Sequence, residues 1–284
     1  MITLDEWERG GSFSTINGHT IFCREGGSTS NPALVLIHGF PTASWDWEGM
    51  WNPLTERWRV ITLDMLGFGF SAKPNVPYSI MRQADLFTAR LAQLGVTEFH
   101  VLAHDYGDTV AQELLARKIP GLKSMCFLNG GLFPETHRAL LVQKLLLSPL
   151  GGLVARLTSR ARFETSLQRI FGSATPPSRE HLDGFWKLLL REDGLRVMPK
   201  LIHYMPERIA HRERWVGALQ TTEVPLKVID GAADPVSGAH MVARYRELVP
   251  SPNVTLLEGI GHYPQVEAPE QVLRAYLEFR DSLS

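Results

Sequence analysis

The sequence predicts an α/β protein with a mostly parallel, doubly wound sheet. From residue 33 onwards, short continuous apolar runs alternate with longer segments of helical period. Runs that are apolar on both faces are typical of buried parallel strands, and their alternation with amphipathic helices is typical of a doubly wound fold. A chain of 284 residues, with 44% hydrophobic and 21% charged residues, is long enough to bury such a core.

The first 30 residues follow a different pattern. Short alternating runs, such as residues 20–24, are separated by Asn17-Gly18 and Gly26-Gly27, which predicts antiparallel strands and turns. Six further strands are predicted at residues 33–38, 59–64, 99–105, 124–130, 226–231 and 254–259. Helices between and after these strands are predicted at residues 80–94, 107–118, 239–248 and 269–281.

One interval interrupts the alternation of strands and helices. Residues 134–215 contain no strand signal but several helical stretches, at residues 138–147, 163–171 and 181–190. We therefore predict a core domain formed by residues 1–133 and 216–284, with a helical cap of residues 134–215 inserted between strands 6 and 7. Such a cap would cover the carboxyl ends of the strands, where open α/β sheets bind their ligands.

Composition excludes several classes of partner. The formal net charge of −1 gives no electrostatic reason to expect nucleic acid or an anionic membrane. The arginines at positions 156, 160, 162 and 169 are interpreted as a solvated helix face rather than as a substrate clamp.

Cys23 and Cys126 lie in strand-like runs and are predicted to be buried free thiols. The acidic start of the chain lacks the apolar region of a signal peptide, so we expect a soluble, cytoplasmic protein.

A candidate nucleophile lies where the third parallel strand meets a helix. The sequence Ala103-His104-Asp105-Tyr106-Gly107 has the pattern of a nucleophile elbow, in which small residues let strand and helix approach closely. Here the central residue is Asp105, whose carboxylate is ionised at pH 7 without help from a base. Such a carboxylate can attack an sp³ carbon and form an alkyl ester. The alternative is a helix N-cap. His104 is interpreted as structural.

The loop His38-Gly39-Phe40-Pro41 follows the first parallel strand. A loop at this place supplies one donor of an oxyanion hole, here the N–H of Phe40, and the residue after the nucleophile, Tyr106, supplies the second. Asp234 and His262 follow the last two strands, so the chain order is nucleophile, acid, histidine. With an aspartate nucleophile, His262 would activate the water that hydrolyses the ester, and Asp234 would orient His262.

Several motifs together resemble a known branch of hydrolases. HGFP, DMLGFGFSAKP (64–74), AHDYG, GAADPV and GHYP resemble the epoxide hydrolase and haloalkane dehalogenase branch of the α/β-hydrolase fold. A closer resemblance, to the mesoderm-specific transcript protein family, runs through residues 102–117, 128–138 and 211–219. Animal members of that family carry a hydrophobic membrane anchor. This sequence shows no such segment, so we expect no membrane anchor.

The resemblance implies a choice between two reactions. Epoxide hydrolases of this branch place cap tyrosines over the nucleophile, and Tyr204 matches the second of these positions. Its hydroxyl, protonated at pH 7, suits a general acid, although a packed aromatic ring is the alternative. The first cap tyrosine has no match, and His137 or His203 are candidates to replace it. Haloalkane dehalogenases carry tryptophan after the nucleophile and a polar residue in the HGxP loop, whereas this chain has Tyr106 and Phe40.

The sequence therefore predicts an epoxide hydrolase that forms vicinal diols. The expected partners are a small apolar epoxide and water, with no nucleic acid, and we expect neither a cofactor nor a metal. A dehalogenase with the same nucleophile and a non-catalytic ligand-binding protein on a hydrolase scaffold stay open as alternatives.

Overall fold

A computed structural model describes residues 1–283 of the chain. It contains one sheet of eight strands in the order β1-β2-β4-β3-β5-β6-β7-β8. The strands are β1 Ser12–Ile16, β2 His19–Gly26, β3 Ala33–Ile37, β4 Arg59–Leu63, β5 Phe99–His104, β6 Leu122–Leu128, β7 Leu226–Gly231 and β8 Val254–Leu257. β1 pairs antiparallel with β2, and β2 pairs antiparallel with β4. All other pairs are parallel, as predicted.

The α-helices are α1 Leu4–Arg9, α2 Glu48–Arg57, α3 Ile80–Gln93, α4 Tyr106–Ala116, α5 Leu141–Leu147, α6 Gly151–Arg156, α7 Arg160–Gln168, α8 Arg179–Leu190, α9 Met198–Leu201, α10 Tyr204–Ala210, α11 Arg212–Thr221, α12 Ala239–Leu248, α13 Pro264–Glu267 and α14 Pro269–Asp281. Short 3-10 segments lie at Ser44–Trp47, Pro134–Thr136 and Arg191–Val197. Serine side chains begin several helices: Ser79, Ser159 and Ser178 each accept a hydrogen bond from a backbone N–H in the first turn.

The centre of the sheet is covered on both faces. Every residue of β3 and of β5 is buried, which explains their continuous apolar sequences. One group of helices, α3, α4 and α11, packs together, and a second group, α2, α13 and α14, packs together elsewhere on the sheet. Cys23 in β2 and Cys126 in β6 are buried and free, which confirms the prediction for both thiols.

All helices from α5 to α11 lie between β6 and β7. The division of the chain into a core of residues 1–133 and 216–284 and a cap of residues 134–215 stays a prediction. α11, which begins at Arg212, packs against α4 of the sheet layer rather than only against its neighbours in the insertion. Within residues 1–283, no helix is long and apolar enough to cross a membrane.

Candidate active site

Asp105 occupies a sharp turn between β5 and α4. Its backbone has φ 49° and ψ −106°, a conformation that a residue other than glycine adopts rarely. Gly107 follows two residues after Asp105. A side chain at Gly107 would place its Cβ 2.5 Å from the carbonyl oxygen of Ile37 in β3. Glycine is therefore required for α4 to start this close to the sheet. The turn presents the Asp105 side chain to the cavity described below.

The Phe40 N–H donates a hydrogen bond to Oδ2 of Asp105 at 3.0 Å. This contact brings together the two segments that the sequence assigns to the nucleophile and to the oxyanion hole. Tyr106 is the first residue of α4, so its amide is among the N-terminal N–H groups that have no acceptor within the helix. Its use as the second donor stays a prediction.

His262 lies between two carboxylates. Its Nδ1–H donates to Oδ2 of Asp234 at 2.7 Å, and its Nε2 lies 3.9 Å from Oδ1 of Asp105. Asp234 is held in turn by the N–H groups of Val236 and Ser237, at 2.7 and 3.1 Å. The three side chains named from the chain order therefore converge on one place at the carboxyl ends of β5, β7 and β8.

The charges of this group reinforce one another. Burial alone would raise the pKa of Asp234, but the charge and hydrogen bond of His262 lower that pKa to about 2. Burial would lower the pKa of His262, but Asp234, and after it Asp105, raise it to about 9. Burial also opposes ionisation of Asp105, yet His262 and then Arg208 hold its pKa below the usual range. At pH 7 the resting site consists of an imidazolium between two carboxylates.

His104 supports this arrangement from behind. Its Nε2–H donates to the backbone carbonyl of His262 at 2.7 Å, across the gap between β5 and the last loop. Burial, with a smaller effect from the charge of His262, lowers the pKa of His104 to about 3. His104 is thus a neutral residue that fixes the His262 loop, which agrees with the structural role predicted for it.

Asn129 was not identified from the sequence as part of the site. It follows β6, and its Nδ2–H group donates to Oδ2 of Asp234 at 3.1 Å, while its Oδ1 accepts from the N–H of Gly231 at 2.6 Å. Its position directly after a buried strand was a signal that could have found it, because polar residues there face the carboxyl edge of the sheet.

Tyr204 is the first residue of α10 and is buried. Its ring packs against Tyr106, with ring centroids 5.0 Å apart, and against Phe40, with centroids 5.9 Å apart. Its hydroxyl has no hydrogen-bond partner within residues 1–283. Burial, followed by the negative charge of Asp105, raises the pKa of this hydroxyl, so it carries its proton at pH 7.

Arg208 was also missed by the sequence analysis. It lies one helical turn after Tyr204, and its guanidinium stacks 4.4 Å from the centre of the Tyr204 ring. Its Nη2 donates to the backbone carbonyl of Asp105 at 3.0 Å and lies 3.9 Å from the Asp105 Oδ1. Its Nε donates to Thr109 at 2.6 Å. The helical spacing of four from Tyr204 places both side chains on one face of α10 and was the signal available.

The two histidines proposed as a second acid have different surroundings. His137 is largely buried, neither ring nitrogen has a partner within the described residues, and burial, followed by the charge of Arg208, lowers its pKa to about 4. Space at Gly131 is bordered by both Arg208 and His137, so these two side chains are neighbours. His203 is exposed, and its Nδ1–H donates to the carbonyl of Pro199 at 2.7 Å. The exposed ring of His203 thus differs from the buried group formed by Asp105, Asp234 and His262.

A cavity of about 600 Å³ begins at Asp105 and His262 and extends beneath the inserted helices. The sheet layer contributes Phe40, Pro41 and Val236, and the remaining wall comes from residues 140–198, most of them apolar. Tyr204, Arg208 and His137 do not line it, but the Tyr204 ring contacts Phe40, which does. A cavity of this size and character suits an apolar small molecule.

The sheet order, the elbow and the chain order of Asp105, Asp234 and His262 define the α/β-hydrolase class. A family model of the alpha/beta hydrolase fold matches residues 32–269, and the chain belongs to this family of hydrolases. It is 42% identical over 298 residues to mesoderm-specific transcript protein from Mus musculus, across 98% of this chain and 88% of that protein. The mesoderm-specific transcript homolog protein from Homo sapiens is 43% identical over 298 residues, with the same coverage of 98% and 88%.

Solved structures show the same fold. Haloalkane dehalogenase DbeA from Bradyrhizobium elkani has a TM-score of 0.82 and 22% identity, covering 96% of this chain and 98% of that chain. Epoxide hydrolase CorEH has a TM-score of 0.82 and 18% identity, covering 96% and 99%. At these identities the likeness concerns the fold alone and does not separate the two reactions.

Proposed function

We propose that this hydrolase opens epoxides to vicinal diols through an alkyl ester on Asp105. The observation that carries the proposal is the carboxylate at the elbow, which accepts from Phe40, faces His262 and borders an apolar cavity. The proposal assigns Asp105 as nucleophile, Tyr204 as general acid, and His262 with Asp234 as the base for the second step. Phe40 and Tyr106 supply the oxyanion donors.

In the first step, an oxygen of the Asp105 carboxylate bonds to an epoxide carbon while the carbon–oxygen bond of the ring breaks. The leaving oxygen takes its proton from the hydroxyl of Tyr204. The guanidinium of Arg208 over the Tyr204 ring favours the phenolate that forms. The Tyr204 ring contacts Phe40, which lines the cavity beside Asp105, so α10 places the hydroxyl near the site of ring opening. His137, beside Arg208, is the remaining candidate for the second donor.

The charge state of His262 links the two steps. In the resting site His262 is protonated, since its pKa is about 9. Ester formation removes the negative charge of Asp105, which is one of the causes of this high pKa, so His262 can release its proton to restore Tyr204. The neutral imidazole is then the base that the second step needs.

In the second step, His262 takes a proton from water, and the hydroxide adds to the carbonyl carbon of the Asp105 ester. The negative oxygen of the intermediate accepts from Phe40 and, in this proposal, from the amide of Tyr106. Collapse breaks the bond between the carbonyl carbon and the ester oxygen, and that leaving oxygen takes the proton of the added hydroxyl; the diol is released and the carboxylate of Asp105 returns. The proton taken from water stays on His262, so the resting imidazolium is restored and the reaction balances as epoxide plus water to diol.

The experiment that tests this proposal uses the variant His262→Gln. Without the base, the ester should accumulate, and mass spectrometry should show Asp105 heavier by the mass of one epoxide. Asp105→Asn in the same background is the matched control and should show no added mass. A panel of aryl and alkyl epoxides should be tried, since the cavity does not identify one.

Three outcomes contradict the proposal. Halide release from haloalkanes without diol from any epoxide would show a dehalogenase with the same nucleophile. An adduct that persists in the Asp105→Asn control would place the nucleophile elsewhere. Saturable binding of apolar ligands, without turnover and without an adduct in His262→Gln, would show a ligand-binding protein on a hydrolase scaffold.

A further inference from the structure

The helices α5 and α6 expose an unusual number of leucines. Leu141, Leu145, Leu150, Leu153 and Leu157 have between 42% and 73% of their surface exposed, and together they form what we call the leucine patch. Leu141 and Leu145 are four residues apart on α5 and share one helix face. Leu153 lies in α6, and Leu150 and Leu157 directly flank that helix at a spacing of three and four residues. α5 and α6 pack against each other, which joins the two sets.

The segment that carries the leucine patch is also basic. Residues 138–170 contain a single acidic residue, Glu164, which is already paired with Arg160. Five basic side chains of this segment are exposed, and no ion pair involving them is found within residues 1–283: Arg138, Lys144, Arg156, Arg162 and Arg169. The net charge of −1 for the whole chain therefore conceals a strongly basic segment balanced by acidic residues elsewhere.

The mouth of the active-site cavity lies within the same surface. Leu141 and Leu145 are exposed and also line the cavity, and so do Arg162 and Arg169. Two of the four arginines interpreted as a solvated face thus border the route to Asp105. An apolar substrate that leaves the cavity would pass between these leucines and arginines.

We propose that the leucine patch docks on the surface of an anionic lipid bilayer, with the cavity mouth turned towards the lipid. Exposed leucines beside basic side chains are the combination by which short amphipathic helices lie in the headgroup region. Nucleic acid would bind the cations but would leave five exposed leucines without apolar contacts. A neutral bilayer would bury the leucines but would make no use of the basic side chains. Substrate would then enter from the bilayer, where apolar molecules concentrate, rather than from water.

Vesicle co-sedimentation of the full chain tests the docking without any turnover, so its result is independent of the proposed reaction. We expect binding to vesicles of phosphatidylcholine with phosphatidylglycerol, and much weaker binding to phosphatidylcholine alone. Lys144→Glu with Arg156→Glu should weaken binding to the anionic vesicles by at least about fivefold per residue, because each basic side chain contributes roughly this factor near an anionic surface. Neither residue lines the cavity.

The variant Leu150→Ser, Leu153→Ser, Leu157→Ser should weaken binding to the same vesicles by more than about tenfold, since each leucine loses its burial in lipid. Ile209→Ser and Arg246→Glu are matched controls, because both residues are exposed and lie outside the segment 138–170; both variants should bind as the wild type does. Circular dichroism should show the same helix content in all variants.

Three results overturn the proposal. One is wild-type protein that sediments with neither kind of vesicle. The second is a wild-type protein that light scattering shows to be a dimer and that does not bind vesicles, while the triple serine variant is a monomer. The leucine patch would then be an interface between two copies. Equal loss of binding in the Ile209→Ser control would also contradict it, because binding would not depend on the patch.

Discussion

Replacing Asp234 with asparagine should lower the pKa of His262 by about two units or more. In the resting site this pKa is about 9, against an ordinary value of 6.5. The difference of about 2.5 units corresponds to about 3.4 kcal/mol in favour of the imidazolium. Burial acts in the opposite direction, so the two carboxylates together contribute more than this net value. Asp234 is the nearer of the two, at 2.7 Å, and should account for most of it.

The measurement is an NMR titration of histidine-labelled protein between pH 5 and about pH 10, a range that spans the ordinary and the raised pKa. His262→Gln identifies the resonance by its loss. Asp105→Asn is the matched control, because it removes the carboxylate at 3.9 Å and imitates the neutral ester; its effect on the pKa should have the same sign and be smaller. The reasoning is refuted if His262 of the wild type titrates near 6.5, or if Asp105→Asn lowers the pKa more than Asp234→Asn does.

The same shift has a consequence for stability. Because the folded pKa of His262 is raised, its stabilising contribution is fully present below about pH 6.5 and is lost as the pH rises through about 9. The wild type should therefore lose up to about 3 kcal/mol of unfolding free energy across this window, and Asp234→Asn should lose much less. Denaturant unfolding at several pH values measures both curves.

Three further substitutions are informative. Gly107→Ala should destabilise the fold by about 1–3 kcal/mol and reduce activity, because its Cβ meets backbone oxygen at 2.5 Å; Gly217→Ala, with nothing within 4 Å, is the control and should be neutral or stabilising in urea unfolding. Asn129→Ala should slow ester hydrolysis about tenfold by releasing Asp234, seen as ester accumulation in single-turnover kinetics, and an unchanged hydrolysis rate would refute this role. Glu113→Ala should lower the free energy of unfolding by about 3 kcal/mol, because the buried carboxylate of Glu113 binds two arginines and accepts from the indole N–H of Trp215 at 2.7 Å. The measurement is the melting temperature, and a value within a degree or so of the wild type would contradict this prediction.

The parallel strands were predictable because their signal is local. A strand buried on both faces must be apolar at every position, and the runs at residues 33–38 and 99–105 could be found without knowledge of their neighbours. α1 and α2 were not predicted. α1 has only six residues, too few for a helical period, and α2 contains Pro53, which usually argues against a helix interior.

In the candidate site, too, some residues are placed by the local sequence and others only by the packing of distant elements. Asp105, Asp234 and His262 each follow a strand, so their sequence positions alone place them at one edge of the sheet. Arg208 reaches Asp105 from 103 residues away, and its orientation depends on how α10 packs against α11 and the Pro134–Thr136 segment. Nothing in the local sequence encodes that packing. The packing of the Tyr204 ring against Phe40 and Tyr106 was beyond prediction for the same reason.

The insertion between β6 and β7 also bears on how the chain folds. Met125 of β6 pairs with Leu226 of β7, roughly 100 residues later, whereas β3, β4 and β5 come together from much shorter segments. Closing so long a loop lowers the conformational entropy of the chain before any stabilising contact forms, so pairing of β6 with β7 is expected to be slow. The elbow at Asp105 can therefore form early with β3 and β5, while Asp234 and His262 arrive only after β7 and β8 add to the sheet. During synthesis, this order would keep an assembled catalytic group from existing until the last 60 or so residues have emerged.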